Sequence, residues 1–265
     1  VVAHRHVRGV TLTGSDHAGA AVAAQAGQHL KKCVLELGGS DPGVVLADAD
    51  VDLAVDRCVA SRMLNCGQVC IAIKRFIVVD DVYDQFRDGV LAKLEGIKMQ
   101  SPLDPESALG PMARADLRDA LHGQVCASID AGARLVLGGH VPTQAGWWYP
   151  ATMLEDVTPG MPAFDEEIFG PVACLVRARD IHDALELAAD TRFGLAGSIF
   201  TSDRDRGEDI AANHMHAGCL AVNDFTRSDP RVPFGGIYDS GFGRELGAAG
   251  LHEFTNLKSV VVARA

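Results

Sequence analysis

Short apolar or β-branched runs alternate with longer mixed segments along most of the chain. Residues 9–13, 33–37, 43–46, 75–79, 134–137, 172–177, 196–201 and 218–222 read as strands. Residues 17–30, 50–64, 81–94, 114–131, 180–189 and 203–213 read as helices, from Ala-rich composition, amphipathic spacing or an Asp at the start. Strand, helix and strand in turn predict an α/β fold: a mainly parallel sheet with helices on its faces. Gly/Pro-rich residues 138–150 and 227–243 are the main irregular connectors, and no internal repeat is visible. Leu257–Val262 reads as a last short strand, whose edge would be exposed unless paired.

Composition narrows the possible functions. The 265 residues are 48% hydrophobic and 22% charged, enough for one large domain or two small ones. A net charge of −11 opposes nucleic acid and anionic membrane surfaces, which need a basic footprint. No apolar run approaches the roughly 18 residues of a membrane span, and the N-terminus lacks a signal-peptide core. Seven cysteines without a Cys-x-x-Cys pair fit a reducing, cytoplasmic setting, with no metal site expected.

Two segments carry the strongest chemistry. Asn65-Cys-Gly-Gln-Val-Cys70 presents a thiol after a Gly-Gln turn, where backbone N–H groups would depress its pKa. Cys33-Val-Leu-Glu36-Leu-Gly-Gly ends an apolar strand in a carboxylate, and burial would raise that group towards the range of a general base. The bland alternatives are a core cysteine at 70 and an ion pair of Glu36 with Lys32. The two glycines after Leu37 allow backbone shapes that other residues resist. Cys66 reads as a small apolar filler, His214 and His216 as solvated, and Asn223 as a residue that orders its loop. Thr13-Gly14-Ser15 lies between strand and helix, where a helix N-terminus can hold a pyrophosphate, although Gly-Ser also makes ordinary N-caps. Gly241-Phe-Gly243 is not a dinucleotide fingerprint, since no strand–glycine–helix unit surrounds it.

Taken with Glu166-Glu167-Ile-Phe169-Gly-Pro171 and Pro233-Phe234-Gly-Gly, these strings resemble the aldehyde dehydrogenase superfamily, in the family's order. The resemblance implies Cys70 as nucleophile and Glu36 as the base that activates the hydrolytic water. It implies NAD or NADP as cofactor, touched by Gly14, Ser15 and Leu37, with Glu167 on the nicotinamide ribose and Phe169 near the nicotinamide. Phe234 becomes a wall of the pocket for a small aldehyde. It further implies a cofactor-domain remnant over 1–38, a catalytic domain over 39–238, and a C-terminal segment over 239–265 whose strand joins a neighbouring subunit in a homo-oligomer, dimer or tetramer. Family members are nearly twice as long, so a partial chain is expected. Alone it would be inactive or incomplete, and the alternative is a non-catalytic homologue or assembly fragment. Residues 228–236 and Gly241-Phe-Gly-Arg-Glu-Leu look most like the succinate-semialdehyde branch, where Arg227 or Arg231 could pair with a substrate carboxylate; a solvated loop arginine is the simpler reading of each.

Overall fold

Most of the predicted strands and helices occur in the computed structural model, which describes residues 1–264. The chain begins with β1 (Gly9–Thr13), α1 (Asp16–Gln28) and β2 (Lys32–Glu36), and then crosses to β3 (Pro42–Val45) and α2 (Val51–Met63). It continues through β4 (Arg75–Val79), α3 (Asp80–Glu95), α4 (Ala115–Asp130), β5 (Arg134–Leu137) and β6 (Thr152–Glu155). A single turn α5 (Pro162–Asp165) precedes β7 (Val172–Ala178), α6 (Ile181–Ala189), β8 (Phe193–Gly194) and β9 (Ala196–Phe200). The last elements are α7 (Arg204–Asn213), β10 (Cys219–Val222), β11 (Ile237–Tyr238), β12 (Gly241–Phe242) and α8 (Gly247–Glu253).

Seven strands form the main sheet in the order β10-β9-β3-β4-β7-β6-β5, all parallel except β5, which runs antiparallel to β6. Its central strands are buried on both faces, which is why they read as continuous apolar runs. Successive side chains still alternate between two cores. Val44, Ile77, Val79 and Cys174 face α4 to α7, whereas Val45, Phe76, Val78 and Leu175 face α2 and α3.

A smaller sheet, β1-β2-β12, abuts the first. β1 and β2 are parallel, and β12 closes the other edge of β2 antiparallel, with Gly241 opposite Glu36. Gly241–Gly243 is thus a sheet edge and not a phosphate loop. The sequence does not predict β6, α5, α8 or the two-residue strands β8, β11 and β12. Leu257–Val262 departs from expectation too: the segment forms no strand within one chain and lies exposed. Its apolar residues find no partner strand among the described residues, so nothing fixes an extended ladder there. No helix among the described residues is long and apolar enough to cross a membrane.

Candidate active site

Three segments meet where β2 passes into β3. Gly38 and Gly39 lie so close to their neighbours that a Cβ would not fit. At Gly38 it would stand 2.5 Å from Glu167 Oε2, and at Gly39 it would stand 2.7 Å from the Cys70 carbonyl oxygen. The Gly39 N–H also donates to Glu167 Oε1 at 3.1 Å. Close approach, not an unusual backbone shape, is therefore what these two glycines supply, because neither has a positive φ.

Cys70 follows a tight turn over Leu64–Gly67. Asn65, Cys66 and Gly67 take positive φ values of 50°, 58° and 71°, a strained path for the first two. Gly67 is required twice over, since a Cβ would overlap the Gly170 carbonyl at 2.1 Å. The fully buried Arg62 guanidinium pins this contact, donating to Gly67 O at 2.8 Å and Ile168 O at 3.3 Å. Lys74, also buried, donates to Phe164 O at 2.8 Å and Glu166 O at 2.5 Å. Arg75 reaches Ser40 O at 3.0 Å and the carbonyls closing α6. Three buried cations thus tie the loops to one another through backbone carbonyls. Sequence reading passed over them, although a charge within Ile71-Ala-Ile-Lys74-Arg75-Phe-Ile is a signal that could have found two.

Glu36 is 3% exposed, and neither carboxylate oxygen has a hydrogen-bond partner. Lys32 pairs instead with Glu253 at 2.8 Å. Burial, reinforced by the nearby Glu245 and opposed by Arg244, pushes Glu36 up to about 7. Asp41 is wholly buried, accepts the Ala196 N–H at 3.1 Å, and is pushed up to about 7, chiefly by burial. The Cys70 thiol differs from expectation. Burial first, then the Asp41 and Glu167 carboxylates, raise it to about 11, with Glu36 adding to the rise. Only the Ile71 N–H opposes them. The one backbone donor does not win here because burial, and after it the nearby carboxylates, outweigh it.

The other candidates occupy distinct places. Ser15 caps α1, its hydroxyl accepting the Ala18 N–H at 3.2 Å, with Gly14 exposed just before it. Leu37 is buried against α1. Glu167 and Phe169 are half-buried, and burial raises the Glu167 carboxyl. Gln124 of α4 donates to Glu166 Oε2 at 2.7 Å and to Glu167 O at 3.1 Å. Phe234 is buried with Ile71, Leu195 and Ala196, in the same apolar cluster that Cys70 and Cys219 flank.

A cavity of about 310 Å³ opens beside Val69 and Ile71, with Thr226, Arg227 and Ser228 on its rim. Arg227 already has a carboxylate, Asp224 at 2.8 Å, and stacks on Phe225. Arg231 is exposed and paired with Asp229 at 2.5 Å, away from that cavity. Cys66 packs against the α2–α3 core as a small apolar filler does, its thiol also reaches Gly110 O at 3.3 Å, and its turn is not α-helical. Asn223 bridges Thr201 N and O, while His214 and His216 are exposed.

The model of the aldehyde dehydrogenase family matches residues 1–260. The chain belongs to the aldehyde dehydrogenase family. It is 53% identical over 254 residues to the succinate semialdehyde dehydrogenase [NAD(P)+] Sad of Escherichia coli K12, covering 96% of this chain and 55% of the relative. It is 47% identical to a succinate-semialdehyde dehydrogenase [NADP(+)] of Deinococcus radiodurans, covering 98% and 54%. A crystal structure of succinic semialdehyde dehydrogenase from Streptococcus pyogenes with NADP+ superposes with a TM-score of 0.96 at 38% identity, covering 99% of this chain and 58% of that one. The chain spans about half the length of the curated relatives it matches.

Proposed function

We propose that this chain carries the catalytic machinery of an enzyme that oxidises a small aldehyde to its carboxylic acid, with NAD or NADP as cofactor. The observation that carries the proposal is the meeting at Gly38–Gly39 of the Cys70 backbone and the Glu167 carboxylate, two residues from the unpartnered Glu36. A buried carboxylate without a partner costs stability. A water to be deprotonated gives it a use.

Cys70 Sγ adds to the aldehyde carbon and forms a thiohemiacetal. Its raised pKa makes it a thiol at neutral pH, so a base must take the proton. Glu36, poised near 7 and within electrostatic reach, suits that task. A nicotinamide cofactor, when bound, supplies the hydride acceptor that turns this adduct into a thioester. The residues present fit one: the N-terminus of the thirteen-residue α1, with Gly14 open to a backbone approach, suits a pyrophosphate. Glu167 Oε2 accepts no hydrogen bond within the described chain and suits ribose hydroxyls. Glu36, once it has released the first proton to solvent, takes a proton from the water that attacks the thioester and returns it to the departing Cys70 thiolate, so that the acid and the thiol are released.

For substrate we propose succinate semialdehyde, supported by the names of the two relatives and by Arg227 on the rim of the cavity. There a substrate carboxylate exchanges places with Asp224. The homo-oligomer remains part of the proposal, supported by the exposed Leu257, Val260, Val261 and Val262. So do the division at residues 38 and 238 and the cytoplasmic setting.

The test is aldehyde-dependent formation of reduced cofactor by the purified protein at its natural length. Cys70→Ser is expected to lower turnover by about 10³-fold or more while cofactor binding persists. Turnover near wild type in that variant contradicts the proposal. Arg227→Gln should raise KM for succinate semialdehyde more than for an uncharged aldehyde of equal length. Equal effects on both would remove Arg227 from substrate recognition.

A further inference from the structure

Away from Cys70, the outer face of α4 brings together a nucleophile, a base and a group that orients the base. Cys126 is the only one of the seven cysteines that is exposed. Its Sγ lies 3.6 Å from His122 Nε2, one helical turn earlier. His122 Nδ1 is held at 3.2 Å by the hydroxyl of Tyr149, a fully buried ring that stands tilted against the imidazole. Arg118, a further turn back along the same stripe, stacks on the half-exposed Trp147 and pairs with Asp119 at 2.6 Å. The other six thiols are buried or half-buried, and burial raises each of them.

We propose that Cys126, with His122 as its base, is a site of thiol modification by low-molecular-weight disulfides, separate from the Cys70 site. The pattern of thiol, imidazole and orienting hydroxyl is the one that activates a nucleophile. In the tautomer whose Nδ1–H donates to the Tyr149 oxygen, Nε2 is free to accept the thiol proton. Cys126 Sγ attacks one sulfur of the reagent, a new S–S bond forms and the reagent's S–S bond breaks. Cys126 is oxidised to the mixed disulfide, and the other half of the reagent is reduced. The proton passes from His122 to the departing thiolate. Nothing in this exchange draws on Cys70, Glu36 or a cofactor.

The experiment is incubation of the purified protein with limiting glutathione disulfide at neutral pH, with intact mass and peptide mapping over time. Cys126 should carry the first equivalent, and Cys126→Ser should remove that phase while leaving slower ones. His122→Ala should slow the first phase by about tenfold, a modest share of what a general base supplies. Tyr149→Phe, which deletes only the hydroxyl, should slow it less. First modification at Cys66 or Cys70, or an unchanged rate in both His122→Ala and Tyr149→Phe, overturns the proposal. Cys126→Ser alters only an exposed side chain, so it decides the matter even where a substitution at 122 or 149 disturbs folding.

Discussion

The seven-stranded sheet and the loop junction at Gly38–Gly39 obey different rules, although β3 and β4 run from one into the other. In the sheet, apolar side chains alternate between two cores and the backbone groups are paired in the ladder. In the junction, Asn65 and Cys66 hold positive φ, Glu36 lacks a partner, and three buried cations spend their donors on loop carbonyls. The sheet is optimised for stability. The junction gives up stability locally to hold a thiol and three carboxylates together, and the rigid sheet beneath it supplies the surplus that makes this tolerable.

That contrast can be broken most severely at Gly67. Gly67→Ala meets a backbone carbonyl at 2.1 Å and takes an unfavourable φ. It should cost about 3 kcal/mol or more and scramble the Cys70 loop. Chemical denaturation with parallel activity assays checks this, and a loss below 1 kcal/mol would show that the loop has slack. Leu154→Ala, at a fully buried sheet position, should cost about 2–5 kcal/mol yet leave the KM of the remaining folded enzyme unchanged. The first change harms chemistry beyond stability; the second harms stability alone.

Arg62→Met sharpens the comparison further. It strands the Gly67 and Ile168 carbonyls and should cost about 2 kcal/mol. The rate of Cys70 alkylation should change with it, since the thiol's loop loses its tie. A stability loss with unaltered Cys70 alkylation would make Arg62 a packing residue only.

The effect at Glu36 has the opposite sign. A carboxyl raised from 4.5 to about 7 holds its proton longer in the folded chain than in the unfolded one. Stability from this group is therefore present below pH 4.5 and lost as pH rises towards 7. Glu36→Gln removes the titration. The variant should gain up to about 3 kcal/mol over wild type, with the gap opening between pH 4.5 and 7 and flat above. Thermal unfolding across that range tests it, and a variant less stable than wild type at pH 8 would mean that Glu36 is well solvated.

Much of the sheet was legible because period-2 and buried apolar runs leave few alternatives, as in Val172-Ala-Cys-Leu-Val and Arg75-Phe-Ile-Val-Val. β6 escaped because Thr152-Met-Leu-Glu155 is short, polar at both ends and preceded by a Gly/Pro-rich stretch. α8, Gly-Ala-Ala-Gly with no buried face, has no apolar stripe to read. Around the site, the strings near Cys70, Glu36 and Glu167 pointed to segments, and the fold brings those segments together. What the sequence could not convey was the sense of electrostatics that depend on neighbours far along the chain. Cys70 is buried, and Asp41 and Glu167 are brought near it, only by the folded loops, and so the thiol is raised where its local turn suggested a depressed value. Arg62 lies on the buried face of α2, a place where its charge reads as a solvated one until its carbonyl partners are seen.

The central claim is that Glu36 serves the hydrolysis of a Cys70 thioester. The most direct measurement is rapid-mixing kinetics of cofactor reduction by Glu36→Gln in the enzyme at its natural length, with aldehyde saturating. A burst of about one equivalent of reduced cofactor per site, followed by a steady state at least about 10²-fold slower than wild type, is the predicted trace. Mass spectrometry of the quenched burst should find the acyl group on the peptide bearing Cys70. Loss of burst and steady state together, or a steady state close to wild type, would contradict the account.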